Sequence, residues 1–113
     1  MKFYLIHLPN YQHRWEPTFK HLVENGITPI LFHGIDAISW QLKSDLSENR
    51  FSKKFTSGRI GCFLSHFMLW NHLLHEVDGD VSVVFEDDVR INKRFGEDLK
   101  MVLDQLPTNW DLV

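Results

Sequence analysis

Residues 81–85, Val-Ser-Val-Val-Phe, run almost without a polar break and stop abruptly at Glu86, Asp87 and Asp88. A short continuous run of this kind reads as a central strand that needs cover on both faces. The rest of the chain supplies that cover. Residues 2–8 are rich in β-formers and read as a second buried strand, after which Pro9 and Asn10 turn the chain. Trp15, Phe19, Leu22 and Val23 follow at helical spacing, with Pro17 placed in the first turn and Gly26 as the stop. Ile30, Leu31 and Phe32 make another strand.

Residues 33–57 are irregular and polar, and read as an extended excursion with one short helix. A loop of that length in a small domain is expected to be functional. The spacing then predicts a helix over 58–76, capped by Thr56 or Ser57. Steps of about 100° put Ile60, Phe63, Phe67, Trp70, Leu73 and Leu74 on one broad face, with Ser65, His72 and Glu76 opposite. Asp78, Gly79 and Asp80 read as a turn. Phe95, Leu99, Val102, Leu103 and Leu106 define a last amphipathic helix that Pro107 ends, and residues 110–113 read as the onset of a further strand. Alternation of this sort predicts an α/β fold, a mostly parallel sheet flanked by helices.

At 113 residues the chain fits one domain, and its 43% hydrophobic content can build a core. A net charge of -3 provides no field to recruit nucleic acid. The single cysteine, Cys62, excludes an internal disulfide and fits a reducing compartment. No apolar stretch approaches the roughly 20 residues of a membrane-spanning helix. A cytoplasmic protein is the expectation.

The acidic cluster carries the most chemistry. Strand residues two apart share a face, so Glu86 and Asp88 are expected to point one way and Asp87 the other. Like charges this close repel at the edge of a low-dielectric core, and oxygen-rich sites suit magnesium or manganese. From Glu76 to Asp88 there are six acids and no base, so a phosphate-bearing ligand there would need a cation between. The plainer alternative is a solvated turn with Asp88 or Asn92 as a helix cap. Gly61 allows close approach near the helix start. His66 falls near Trp70 within the apolar arc, which periodicity alone explains as a hydrogen-bonded core histidine. Ser65 and His66 point about 100° apart and make no nucleophile–base pair. Cys62 reads as a small buried hydrophobe, and His72 and His75 as surface residues.

Together these stretches resemble glycosyltransferase family 25, the lipooligosaccharide galactosyltransferases and their animal collagen-galactosyltransferase relatives. Ile6, His7 and Leu8 with Arg14 and Trp15 resemble the family's opening strand and Arg-containing turn; Gly26, Ile27, Phe32, Asp36 and Ala37 resemble its next strand and F-D-A segment. Gly61, Cys62, Ser65 and His66 are similar to its G-C-x-x-S-H helix, and Glu86, Asp87 and Asp88 to its E-D-D motif. The resemblance implies a GT-A-like, Rossmann-like fold in its amino-terminal part, a UDP-sugar donor, commonly UDP-galactose, and inversion at the anomeric carbon. It implies manganese or magnesium on Glu86 and Asp88, donor contacts from Leu8, Arg14, Ser65, His66 and Asp87, and a general base beyond Val113. The acceptor would be lipooligosaccharide or lipopolysaccharide, reached by peripheral association with the inner membrane.

Two rivals belong to other classes. A receiver-type signalling domain shares a strand ending in acids, but leaves residues 1–79 unexplained and lacks room for an intervening strand and helix. A remnant that binds nucleotide or a partner without turnover is the other. The chain by itself is expected to transfer no sugar and to associate with itself through exposed edges.

Overall fold

The computed structural model describes residues 1–37, 56–76 and 80–113. The expected short helix of the excursion and the turn at Asp78 and Gly79 lie outside the described residues. Strand β1 (Lys2–His7) runs through a 3-10 turn (Pro9–Tyr11) into helix α1 (Gln12–Glu24). Strand β2 (Ile30–His33), helix α2 (Ser57–Leu74), strand β3 (Ser82–Phe85) and helix α3 (Phe95–Gln105) follow. The strands form one sheet in the order β2-β1-β3, parallel throughout, with Leu5 opposite Leu31 on one side and Phe85 on the other. The fold is the expected α/β arrangement.

Because α1 starts directly from the 3-10 turn, Pro17 sits inside the helix and not in its first turn. Gly26 does end the helix, at φ +82°. Its amide donates to the Val23 carbonyl at 3.0 Å and that of Ile27 to Leu22 at 2.9 Å, the paired bonds of a Schellman cap.

Alternation along β1 divides the core. Leu5 is fully buried with Leu22 and Phe85, and Phe3, Phe19, Ile27, Val83 and Phe95 pack around them. Complete burial of Leu5 and Leu22 contributes about 1.5–3 kcal/mol each relative to exposure. Tyr4 points to the opposite face, where Ile60 and Leu69 of α2 are also fully buried.

The buried line of α2 is Ile60, Gly61, Ser65 and Leu69. Of the broad apolar face expected of this helix, Ile60 is buried and Leu73 half-buried, but Phe63, Phe67, Trp70 and Leu74 are exposed, so most of that face points outward among the described residues. Close approach explains the inversion. A Cβ on Gly61 would lie 2.8 Å from the Ile35 carbonyl oxygen, so the helix seats through its smallest residues. Residues 110–113 form no strand, since no described strand pairs with them. No helix among the described residues is long and apolar enough to cross a membrane.

Candidate functional site

In open parallel sheets, ligands bind beyond the carboxyl ends of the strands, where the strand order switches. Here the chain steps from β1 to β2 on one side and returns to β3 on the other. A cavity of about 350 Å³ opens at that end, within the roughly 300–1,000 Å³ usual for small-molecule sites. Leu8 and Arg14 line it from the β1–α1 side, Ser65 and His66 from α2, and Glu86 and Asp87 from the turn after β3.

The pieces are tied together by hydrogen bonds. Ser65 Oγ accepts from the Ile35 amide at 2.8 Å and donates to the Gly61 carbonyl at 2.7 Å. The hydroxyl thereby fastens α2 to the segment after β2, and its contribution to the cavity is as scaffold. Gly34 shares this seam: a Cβ there would stand 3.0 Å from Ser65 Oγ and 3.1 Å from Ile6. Thr56 caps α2 by accepting from the Arg59 amide at 3.4 Å. On the other wall, Arg14 pairs with Asp87 at 2.9 Å, and Thr18 Oγ1 donates to the Asp87 carbonyl at 2.6 Å. Helix α1 so holds the acidic turn in place.

His66 is three-quarters buried, its ring 5.9 Å from that of Trp70, and its Nε2 lies 3.0 Å from Glu86 Oε1. It is hydrogen-bonded to the acidic strand end, not isolated in the core. Cys62 is exposed, against the expectation of a buried hydrophobe, and its thiol donates to the same Glu86 oxygen at 3.5 Å. The cysteine stands one helical turn before His66, at the cavity wall, where it is covered in part and open to the cavity. Hydrogen bonding from His66 holds the Glu86 carboxyl below its ordinary range, and burial with the nearby Glu86 charge pushes the Cys62 thiol up.

Glu86 and Asp88 do not share a strand face. The strand stops at Phe85, and residues 86–89 form a turn closed by the Val89 amide donating to the Glu86 carbonyl at 3.2 Å. Two-residue alternation ends where the extended backbone ends. Asp88 is exposed and outside the cavity lining, while Asp87 turns toward Arg14. Among the described residues, the donor group with metal-ligand spacing is Cys62, His66 and Glu86. Manganese and magnesium prefer oxygen ligands. One carboxylate beside a thiol and an imidazole, with Asp87 committed to an arginine, is not such a set.

Sequence reasoning did not place Tyr11, Ile35, Ser57 or Gly58 at the site, yet all line the cavity. The glycine and serine at a helix start carried a weak signal; Tyr11 and Ile35 carried none.

Comparison with known proteins follows the same outline. A family model described as "Glycosyltransferase family 25 (LPS biosynthesis protein)" matches residues 1–112. The chain is 33% identical over 82 residues to Procollagen galactosyltransferase 1-A of Xenopus laevis, covering 70% of this chain and 13% of that protein. It is 27% identical over 122 residues to a Glycosyltransferase 25 family member of Aedes aegypti, covering 97% of this chain and 20% of the relative. It is 38% identical over 61 residues to Inactive glycosyltransferase 25 family member 3 of Mus musculus, covering 51% and 10%. The chain thus spans about a tenth to a fifth of the length of these relatives. No solved structure matches it significantly.

Proposed function

This chain belongs to glycosyltransferase family 25, and from that premise we propose that its cavity binds the nucleotide of a UDP-sugar, with galactose as the sugar transferred. The observation that carries the reading is the convergence of Leu8, Arg14, Ser65, His66, Glu86 and Asp87 on one cavity at the carboxyl ends of three parallel strands. In the reaction an acceptor hydroxyl oxygen bonds to the anomeric carbon as the bond from that carbon to the diphosphate oxygen breaks, with inversion. Negative charge grows on the leaving UDP. Arg14, half-exposed and using Nη2 toward Asp87, retains guanidinium donors for a phosphate. Ser57 and Gly58, at the amino terminus of α2, line the same cavity, where backbone amides and the helix dipole favour an anion. Neutralisation of the diphosphate is assigned to these groups.

The acceptor we propose is the sugar of a lipooligosaccharide, worked on in the cytoplasm at the inner-membrane surface. Relatives named for procollagen favour a polypeptide-borne acceptor as the second reading, and the relative named inactive favours binding without turnover.

Calorimetric titration with UDP and UDP-galactose tests the donor site. Removing a charge-assisted hydrogen bond costs about 1.5–3 kcal/mol, so Arg14→Ala should weaken UDP binding about 10–100-fold. Absence of UDP binding, or equal binding by the variant, would overturn the assignment. Supplying radiolabelled donor with lipooligosaccharide and with a collagen peptide then separates the acceptors.

A further inference from the structure

We propose that Cys62, His66 and Glu86 form a transition-metal site of zinc type, three protein ligands with a fourth position open to the cavity. The proposal shares the cavity, His66 and Glu86 with the nucleotide reading, but its ground is the geometry and donor chemistry of three side chains, so either can fail without the other.

The first support is spacing. Cys62 and His66 are four residues apart on α2, and neighbours at that spacing lie on one helix face. The turn after β3 brings Glu86 to that face from the opposite wall. The second support is distance. A tetrahedral ion at about 2.0–2.1 Å from nitrogen or oxygen and about 2.3 Å from sulfur sets nitrogen–oxygen edges of about 3.3 Å and sulfur–oxygen edges of about 3.5 Å. The corresponding separations are 3.0 Å for His66 Nε2 to Glu86 Oε1 and 3.5 Å for Cys62 Sγ to Glu86 Oε1, and all three ligand atoms fall within 4.8 Å of one another. To admit an ion the histidine–glutamate pair opens by a few tenths of an ångström, and the cysteine and histidine, within 4.8 Å of each other, settle at an edge of about 3.5 Å.

Donor chemistry decides which ion. A thiolate, an imidazole and a carboxylate together favour zinc or cobalt over magnesium and manganese. On binding, the Cys62 thiol gives its proton to solvent and the sulfur takes the metal. His66 binds through Nε2, so its ring proton moves to Nδ1. Glu86 exchanges two hydrogen bonds for one metal bond. All three residues line the cavity, and the remaining coordination position faces a space able to hold water or a phosphate oxygen.

The test uses metal alone on the full chain. Titration with cobalt(II) should give a thiolate-to-cobalt absorption band in the near ultraviolet at one equivalent, and zinc should abolish it. Cys62→Ser should lose the band. Loss of a ligand should cost zinc affinity at least the roughly 100-fold seen for outer-shell changes, both in that variant and in Glu86→Gln. Cys62 and Glu86 are both exposed, so the variants should retain the wild-type circular dichroism. A cobalt complex without the thiolate band would overturn the site, as would zinc binding unchanged in Cys62→Ser. Magnesium or manganese bound as tightly as zinc would overturn it too. Loss of UDP binding with the cobalt band intact would sink the nucleotide reading and leave this one standing.

Discussion

A glutamate meets a histidine at each end of the β1–α2 interface, and the two pairs are built for different ends. At the amino end of the sheet, Glu76 accepts from Lys2 Nζ at 2.8 Å and from Tyr4 Oη at 2.9 Å, with His72 at 3.4 Å. A permanent cation is part of that cluster, and the carboxylate is only 25% exposed. At the carboxyl end, Glu86 is 55% exposed, and its partners among the described residues are His66 and Cys62. Neither carries a fixed positive charge, and the group faces a cavity. The first carboxylate is neutralised by the chain and acts as a clamp between β1 and the end of α2. The second has capacity left for a ligand. The same residue pair thus stands at both ends of the sheet, bound at one by hydrogen bonds from a lysine and a tyrosine and at the other by a histidine and a thiol, where the nearest fixed cation, Arg14, acts on Glu86 through space.

Steric substitution at the seam behind the cavity should break this division most severely. Gly61→Val places side-chain atoms against the Ile35 backbone carbonyl, only 2.8 Å from the site of a Cβ. Overpacking of that kind costs about 3 kcal/mol, at the upper end of its ordinary range. Gly58 lines the same cavity but has open space around its Cβ position. Gly58→Ala should leave the urea midpoint unchanged or slightly raised. A tolerant Gly61 would mean that α2 does not seat through its small face.

Next in size is Ser65→Ala, which strands the Ile35 amide without its acceptor. A buried unsatisfied donor costs about 2 kcal/mol. Hydrogen exchange should localise the loss to the segment around Gly34 and Ile35, leaving β1 and Glu76 untouched. Uniform loss across the sheet would show that the two ends are not separable.

Much of the architecture was legible in the residues, because apolar runs at 2–8, 30–32 and 81–85 each end in polar or turn residues. Gly26 as a helix stop was legible for the same reason, since few residues adopt its φ. The inward face of α2 was not. Ile60, Phe63, Leu64, Phe67, Met68, Leu69, Trp70, Leu73 and Leu74 surround most of its circumference, so angular position cannot select a side. What selects it is Gly61 against the Ile35 carbonyl, a contact between segments distant in sequence. The Cys62–His66 spacing was visible, but Glu86 joins them only through the sheet. Asp88 was misplaced because strand alternation was carried beyond Phe85, the last residue of the strand.

The smallest effect, and the finest test of the comparison, is the acid dependence of stability. Hydrogen bonds from Lys2 and then Tyr4 hold the Glu76 carboxyl below its ordinary 4.5. Glu86 is lowered too, first by His66. A carboxyl whose folded pKa is depressed stabilises the fold fully above its unfolded pKa and loses that contribution as pH falls through the folded value. The unfolded chain binds the proton first, so the urea midpoint should decline as pH drops below the ordinary carboxylate range. Glu76→Gln should flatten that decline, because the neutral amide leaves no carboxyl to titrate. Glu86→Gln should flatten it less, since water screens a carboxylate that is more than half exposed. The ranking of slopes, wild type steepest, Glu86→Gln intermediate and Glu76→Gln shallowest, is read from midpoints between about pH 7 and pH 3, a window set by the ordinary carboxylate range. A steeper decline in Glu76→Gln than in Glu86→Gln would reverse the roles, making the cavity glutamate the structural clamp and the lysine-paired one dispensable to the fold.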